Sequence, residues 1–330
     1  ADGGAYPVSL PEHPQRRLCV MRHNRTMVEI GFPLDAAELA QLLLAPAGPV
    51  SKLEVVSATG STNTDLMAAL RTDPGAWPHG SILIADHQQA GRGRGGRDWQ
   101  TPPQTALTFS LVLKFEQDSA VLPALPALIG LGALQAIRAT AGLPAELKWP
   151  NDIVLPAPGE EPLPGWGIWR KVGGVLIEVL PGTAGAIPTG SGPAAAGPTA
   201  VVGLGINVHQ EAHELPVPHA TSLRHAGARG VGRKLLLVAL AQALLNISDQ
   251  LSAAGGDLAT SELLEQVASH SVLLGQALEV KLPGGKVLRG TGTGLGASGE
   301  LLVTDATGDM HTISSADVEL IRTLDAHPGL

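Results

Sequence analysis

Apolar positions up to about residue 270 follow two patterns, one typical of buried strands and one of amphipathic helices. The strand-like runs are 53–56, 81–85, 105–115, 147–155, 172–180 and 201–208. Segments with apolar residues at helical spacing are 36–45, 65–70, 123–140, 235–251 and 261–268. Asp35 precedes the first of these segments and is a suitable N-cap. This mixture predicts a main domain of the α+β class.

The pattern changes after about residue 271, where short strand-like runs alternate with glycine-containing turns. The runs are 277–282, 287–294, 300–304, 310–313 and 318–322. Five short strands in about fifty residues predict a small antiparallel β-barrel. The chain therefore divides into a Pro-rich N-terminal extension over 1–50, a main domain over 51–270 and a C-terminal β domain over 271–330. The extension shows one helix pattern, too little for a helix-turn-helix module.

Two segments interrupt the main domain without any periodic pattern. Residues 156–167 and 181–198 are dense in Pro, Gly, Ala, Ser and Thr. This composition is typical of surface insertions, so both segments are predicted to be mobile hairpin loops.

Composition narrows the possible functions. The net charge of −8 argues against a broad basic face for nucleic acid, so local positive clusters should bind a small anion. The single cysteine, Cys19, allows no intramolecular disulfide and fits a reducing compartment. No apolar run approaches the roughly 20 residues of a membrane span, and the first residues lack signal-peptide features. We expect a cytoplasmic protein with no membrane partner.

Residues 91–96 form a glycine- and arginine-rich loop after a predicted strand. They fit the pattern G-x-G-x-x-G, but Pro102 and Pro103 prevent the helix that a dinucleotide site needs. The loop also lacks the Lys-Ser/Thr pair of a Walker-type phosphate loop. Its arginines can contact phosphate or carboxylate through two hydrogen bonds each. The loop therefore favours a polyphosphate ligand, and the alternative is a solvated basic turn.

Two further segments place lysines beside small or acidic residues. Residues 148–152 read Lys-Trp-Pro-Asn-Asp, and a lysine near an aspartate can bind phosphate and magnesium respectively. The alternative is a surface ion pair on a turn. Lys171 stands at the start of an apolar strand that contains Gly173 and Gly174. Glycines weaken a strand unless something approaches it closely, and a ligand is one such reason.

The last two patterns concern neutral groups. Gly203, Gly205 and Asn207 alternate along an apolar strand and therefore share one face. This bare face suits a flat neutral ring, although close packing on a helix would also explain the glycines. Ser61-Thr62-Asn63 precedes a predicted helix, whose N-terminus offers N–H groups and hydroxyls to a ligand. On its own this tripeptide would be a helix cap.

Together these motifs resemble those of the biotin–protein ligases, in family order over about residues 53–325. Residues 88–99 resemble the Gly-Arg-Gly-Arg-x-Gly-Arg-x-Trp loop, and residues 148–152, 171–178 and 203–207 resemble three further family motifs. The resemblance implies a mixed-sheet catalytic domain like that of class II aminoacyl-tRNA synthetases, with a C-terminal SH3-like barrel. Gly95 stands where many relatives have arginine, and Gly173 where many have alanine.

The resemblance also implies roles for individual residues. Those expected to bind biotin are Ser61, Thr62, Asn63, Gln88, Gly91, Arg92, Lys171, Gly173, Gly174, Gly203 and Gly205. Those expected to bind ATP are Arg94, Arg97, Trp99, Lys148, Asn151, Asn207 and Arg322. The catalytic group would be Arg92, Lys148, Asp152 and Lys171, with Asp152 as the Mg²⁺ ligand.

The implied reaction joins biotin to AMP and then transfers biotin to a lysine of a biotin carboxyl carrier protein. The expected cofactor is Mg²⁺, and the expected assembly is a monomer or homodimer. One alternative is a lipoate ligase of similar fold, which the intact Gly-Arg loop disfavours. Others are a biotin-dependent DNA-binding repressor, disfavoured by residues 1–50 and the acidic charge, and a catalytically inactive binding protein.

Overall fold

The computed structural model describes residues 32–115, 121–182, 197–258, 261–282 and 284–321. The helices within these ranges are α1 (Ala36–Leu43), α2 (Thr62–Thr72), α3 (Leu125–Ala141), α4 (Arg233–Ala253) and α5 (Leu263–Ser269). The strands of the main domain are β1 (Lys52–Val56), β2 (Ser81–Ala85), β3 (Ala106–Lys114), β4 (Glu146–Lys148), β5 (Asp152–Pro156), β6 (Trp169–Leu180) and β7 (Thr199–Asn207). Those of the C-terminal domain are β8 (Ala277–Lys281), β9 (Val287–Leu295), β10 (Leu301–Asp305), β11 (Met310–Ile313) and β12 (Asp317–Leu320).

The seven strands of the main domain form one mixed sheet. Their order is β1-β2-β3-β7-β6-β5-β4, in which β1 and β2 pair in parallel and the other neighbours are antiparallel. Side chains alternate across the sheet, as strand geometry requires. Leu107, Phe109 and Leu111 of β3 face a large core that includes α3 and α4. Val112 faces α2 on the opposite side. The predicted combination of a mixed sheet with helices is confirmed.

One predicted strand is two strands. Residues 147–155 form a hairpin of β4 and β5, in which Lys148 and Asp152 are direct partners. Pro150 lies between them and has no N–H for a sheet, so the chain turns there. The hairpin brings the lysine and the aspartate together, as the motif led us to expect.

Helix α1 belongs to the core of the main domain. Asp35 accepts a hydrogen bond from the backbone N–H of Glu38 at 2.9 Å, which is the predicted N-cap. Leu39 and Leu43 are fully buried in the same core as α3 and α4. The described part of the 1–50 segment therefore packs against the sheet.

The five C-terminal strands form a separate antiparallel sheet in the order β11-β10-β9-β8-β12. All five were predicted within two residues of their ends. Trp149 of the main domain packs into the core of this sheet, and its Nε1 donates to the carbonyl of Gly299 at 3.0 Å. The two sheets are therefore joined by packing beside the Lys148–Asp152 hairpin.

The predicted insertion at 156–167 does not stand free of the domain. Leu320 in β12 donates its N–H to the carbonyl of Gly165 at 3.1 Å. Arg170 is buried and donates to Glu160 at 3.1 Å. These contacts hold part of the segment against the C-terminal sheet, while residues 158–162 are exposed in the connection between the antiparallel strands β5 and β6, as expected of a surface hairpin loop. Residues 183–196 of the second insertion lie outside the described residues, as does Cys19.

Helix α4 is long and apolar enough to cross a membrane by length and composition alone. Half of the relevant window is buried inside the protein. Leu236, Leu240 and Leu244 are fully buried in the main core, where α4 packs against α3. These contacts are those of a core helix.

Candidate active site

One cleft on the α2 side of the mixed sheet gathers residues from most of the predicted motifs. It opens to solvent. The predicted site residues that line it are Ser61, Thr62, Asn63, Gln88, Arg92, Arg94, Trp99, Asn151, Lys171, Gly174, Gly203 and Gly205. The fold therefore brings segments that are far apart in sequence together around one open cleft.

A connected polar network forms the closed end of the cleft. Gln88 Oε1 accepts hydrogen bonds from the backbone N–H of Thr62 at 2.9 Å and from its hydroxyl at 3.0 Å. The hydroxyl of Ser110 lies 2.7 Å from Thr62 Oγ1 and 2.6 Å from Asn63 Oδ1. Asn63 Nδ2 donates to Glu178 Oε2 at 3.0 Å. Such a network fixes its members and the groups that they can offer to a ligand.

Ser61 differs from an ordinary helix cap. It occupies the N-cap position of α2, but its side chain makes no capping hydrogen bond. Its side chain is buried and lines the cleft. Ser61 therefore lines the cleft without capping the helix through its side chain, which weakens the capping alternative.

The glycines of the cleft each make room for a particular side chain. A Cβ on Gly203 would lie 2.5 Å from Asn63 Oδ1, and one on Gly174 would lie 3.1 Å from Lys171 Nζ. A Cβ on Gly205 would lie 2.7 Å from the indole of Trp99. The flat ring on the predicted glycine floor is thus the protein's own Trp99 in this structure. Gly173 instead faces the main core, where a Cβ would meet the side chain of Ile206 and the carbonyl of Gly205, and a Cβ on Gly91 would meet the carbonyl of Trp99.

Two lysines and one carboxylate lie beside this floor. Lys171 Nζ forms an ion pair with Asp152 Oδ1 at 2.5 Å. Lys148 is buried, and its Nζ donates to the carbonyl of Val318 at 2.6 Å. Burial lowers the pKa of Lys148, Asp152 opposes this shift, and Lys171 adds to it. The three groups form a cationic cluster that can neutralise an anionic ligand.

The arginines of the Gly-Arg loop have different partners. Arg92 pairs with Glu178 at 2.7 Å and so joins the polar network of the cleft. Arg94 donates to the carbonyl of Ala316 at 2.6 Å, and Arg97 pairs with Asp317 at 2.5 Å. The hydrogen bond from Arg97 lowers the pKa of Asp317. The loop is therefore held at one side by the cleft and at the other by the C-terminal sheet.

The described residues contain no group of three or more His, Cys, Asp and Glu side chains that could hold a metal by themselves. Asp152 is the carboxylate nearest to the lysine cluster, because it pairs with Lys171. Mg²⁺ commonly binds one or two protein carboxylates together with substrate phosphates. The donors present fit a magnesium ion that arrives with a nucleotide.

Three predicted ATP contacts, Arg97, Lys148 and Asn207, are not among the described residues that line the cleft. Asn207 is buried, its Nδ2 donates to the carbonyl of Thr221 at 2.9 Å, and its Oδ1 accepts from Gln210 at 2.9 Å. Its amide is therefore occupied by the segment that follows β7. Arg322 lies outside the described residues.

Four further residues belong to the site or its border. Ser110 and Glu178 complete the polar network, and each interrupts an apolar strand, which is a signal that the sequence contains. Trp166 and His219 stack beside Lys148, with ring centroids 4.3 Å apart. These two lie in different loops, and no local pattern indicates that they meet.

Comparisons with known proteins point to one family. A model described as the biotin/lipoate A/B protein ligase family matches residues 55–188. The biotin–[acetyl-CoA-carboxylase] ligase of Mycobacterium tuberculosis is 31% identical over 294 residues, which are 88% of this chain and 97% of that protein. The bifunctional ligase/repressor BirA of Escherichia coli is 29% identical over 53% of this chain and 46% of its own length. The solved structure of an Aquifex aeolicus biotin protein ligase in complex with biotin and ATP aligns with a TM-score of 0.61 and 26% identity, over 83% of this chain and 100% of that chain.

Proposed function

This chain belongs to the biotin–protein ligase family, and from that premise we propose that it is an ATP-dependent biotin ligase. A carboxylate oxygen of biotin attacks the α-phosphorus of ATP, and pyrophosphate leaves. A lysine amine of a carrier protein then attacks the acyl carbon of biotinyl-5′-AMP, AMP leaves, and the amine loses a proton. The main support is a single cleft that combines a buried network of hydroxyl and amide groups with a cationic rim.

The closed end is the proposed biotin subsite. Ser61, Thr62, Asn63 and Gln88 offer hydroxyl and amide groups in a fixed arrangement, which suits the neutral ureido ring. The other proposed biotin contacts are Gly91, Arg92, Lys171, Gly173, Gly174, Gly203 and Gly205. Gly203 acts indirectly, because it makes space for the side chain of Asn63.

The cationic rim is the proposed site of adenylation. Lys171 would bridge the biotin carboxylate and the α-phosphate, and Arg92 and Lys148 would hold the charge that develops on the phosphoryl oxygens. The Lys171–Asp152 pair keeps the ammonium group in place before ligands arrive. Mg²⁺, held by Asp152 together with phosphate oxygens, would neutralise further charge on the nucleotide. Arg94, Arg97, Trp99, Asn151, Asn207 and Arg322 complete the proposed ATP-binding set.

Several finer assignments belong to the same proposal. The C-terminal sheet would be an SH3-like barrel, and the main domain would share its plan with class II aminoacyl-tRNA synthetases. The acceptor would be the biotin carboxyl carrier protein of acetyl-CoA carboxylase or a related carboxylase, since a similar protein bears that enzyme's name. We propose a cytoplasmic monomer or homodimer that binds neither nucleic acid nor membrane.

The direct test is ATP–pyrophosphate exchange measured with biotin and, separately, with lipoate. We expect exchange with biotin, and streptavidin should then detect a biotin-carrier domain incubated with the protein and Mg-ATP. Exchange with lipoate alone would refute the proposal and favour a lipoate ligase.

Replacing Lys171 tests the proposed chemistry at one residue. Lys171→Ala should abolish exchange without lowering the melting temperature, because the charge that bridges carboxylate and phosphate is lost. Lys281→Ala, at an exposed lysine of β8, is the control and should retain wild-type exchange. Wild-type exchange by Lys171→Ala would contradict the assigned role.

A further inference from the structure

An aromatic pair outside the family motifs lies against one of the site lysines. Trp166, in the segment 156–167, stacks on His219 with an interplanar angle of 12°. Lys148 Nζ lies 4.4 Å from the centroid of the Trp166 ring. This is within the range in which an ammonium group is attracted to an aromatic face.

Lys148 needs such partners because its ammonium group is buried. Burying a charge is costly unless other groups compensate it. Within the described residues, Lys148 Nζ donates to the carbonyl of Val318, and Asp152 is the acidic group that most strongly favours its charged form. The face of Trp166 provides a third favourable contact and limits the directions that the ammonium group can take.

The position of Trp166 is itself fixed from both sides. The backbone N–H of Trp166 donates to the carbonyl of Leu163 at 3.1 Å, and the carbonyl of the adjacent Gly165 accepts the backbone N–H of Leu320 in β12. On the other side, the carbonyl of His219 accepts the N–H of Lys171 at 2.7 Å. The stacked pair therefore connects the surroundings of the two lysines. Burial and the nearby Lys171 lower the pKa of His219, which keeps the ring neutral at neutral pH.

We infer that Trp166 is a positioning residue that holds Lys148 in the place where it meets the nucleotide phosphates. This inference rests on the proposed function and adds to it a residue from a segment that resembled an insertion. It also gives that segment a purpose, because the segment brings an aromatic face to a lysine that β12 holds from the other side. A role in packing alone is the alternative that the experiment must exclude.

The test compares Trp166→Ala and Trp166→Phe with Ile168→Ala, an exposed neighbour in the chain. Calorimetry would measure binding of Mg-ATP, and exchange assays would give KM for ATP and for biotin. Trp166→Ala should weaken Mg-ATP binding and raise KM for ATP by roughly five- to tenfold, with KM for biotin changed less than about twofold. Trp166→Phe should restore most of the affinity, since a phenyl face also attracts the ammonium, and Ile168→Ala should match wild type.

A double-mutant cycle with Lys148→Ala shows whether the effect passes through Lys148. Adding Trp166→Ala to Lys148→Ala should cause little further loss of Mg-ATP affinity. Additive losses would overturn the inference, as would wild-type affinity in Trp166→Ala. An equal loss for both substrates, with a lower melting temperature and no rescue by phenylalanine, would indicate packing alone and overturn it too. A wild-type protein that binds Mg-ATP without biotin-dependent exchange would refute the proposed function, while the calorimetric comparison would still decide the inference.

Discussion

Gly203 shows most directly how a missing side chain shapes the site. The amide of Asn63 occupies the space that a Cβ at position 203 would need, at 2.5 Å from Oδ1. From that position Asn63 reaches both Ser110 and Glu178. The glycine thus leaves space for the polar side chain of Asn63, which lies in the proposed biotin subsite.

Gly203→Ala should therefore impair biotin recognition more than nucleotide binding. The methyl group would displace the Asn63 amide and break its contacts with Ser110 or Glu178, so KM for biotin should rise by about tenfold or more. KM for ATP should change little. The control is Gly294→Ala in β9, where a Cβ would meet only an ordinary contact at 3.7 Å. Equal effects on both substrates would contradict this assignment.

The sequence was sufficient to predict which residues share a face, but not what lies above them. The alternation of Gly203 and Gly205 follows from strand geometry, so their common face could be predicted. That Asn63 covers one and Trp99 the other depends on how α2 and the Gly-Arg loop cross the sheet. Ser110 was overlooked, and Glu178 was given no role although it ends the 171–178 motif, because a single polar residue in an apolar strand is ambiguous until the opposite side chain is known.

Among the elements, the Gly-Arg loop contacts two different parts of the molecule. Arg92 reaches into the cleft toward Glu178, whereas Arg94 and Arg97 hold the segment before and at the start of β12. Gly95 has a φ of +68°, which an arginine would adopt only with strain. A glycine at this position therefore fits the turn that the loop makes here.

Arg92→Ala should produce a ligase that releases its intermediate. Without the guanidinium group, the loop would lose its charged contact with the adenylate, so water or free amines would reach the mixed anhydride. We expect biotinyl-5′-AMP to dissociate at least about tenfold faster, measured by rapid filtration with labelled biotin. Glu178→Gln, which retains the Arg92 guanidinium group, is the variant with which this dissociation rate is compared. Unchanged dissociation from Arg92→Ala would contradict this function of the loop.

Element boundaries were predicted well where hydrophobic periodicity decides them. The five C-terminal strands and β2 follow directly from short apolar runs between glycine turns. The β4–β5 hairpin was missed because the apolar residues on either side of residues 148–152 resemble the two halves of one strand, although Pro150 within that motif marks the turn. The contacts that segment 156–167 makes could not be predicted, because Trp166 and Gly165 contact groups far away in the sequence.

At the scale of the whole molecule, one buried ion pair joins the N-terminal segment to the sheet. Asp86 and Arg233 lie 2.8 Å apart, with 6% and 3% of their side chains exposed. Arg233 also donates to the carbonyl of Phe32 at 2.6 Å, and Asp86 accepts from the N–H of Leu34 at 3.3 Å. The pair thus connects the end of β2, the start of α4 and the chain that leads into α1.

Asp86→Asn should lower the free energy of unfolding by about 3–5 kcal/mol, because Arg233 would remain buried without its counter-charge. Urea denaturation at neutral pH would measure this change. Glu38→Gln, which removes the exposed pair with Lys234, is the control and should cost less than about 1 kcal/mol. A cost below 1 kcal/mol for Asp86→Asn would show that the buried pair is dispensable.

Stability should also fall in mild acid because of His209. Burial, with Arg233 and Arg224 nearby, lowers its pKa from 6.5 to about 4. The unfolded chain therefore takes up a proton first, so this contribution is complete above about pH 6.5 and is lost as the pH falls toward 4. Between pH 7.5 and 5, wild type should lose about 2 kcal/mol more than His209→Gln in urea denaturation. His213→Gln, at an exposed position, should behave like wild type. Parallel losses in all three proteins would contradict the effect.

The contacts of segment 315–318 give the two sheets different roles in the site. Every residue of the closed polar end comes from the main domain, whereas Arg94, Arg97 and Lys148 each have a partner at Ser315, Ala316, Asp317 or Val318. A chain truncated between α5 and β8 would leave those three cations and the indole N–H of Trp149 without these partners. Such a truncation should weaken nucleotide binding and leave the proposed biotin subsite intact. Binding of the two substrates would thereby be separated in one truncated protein.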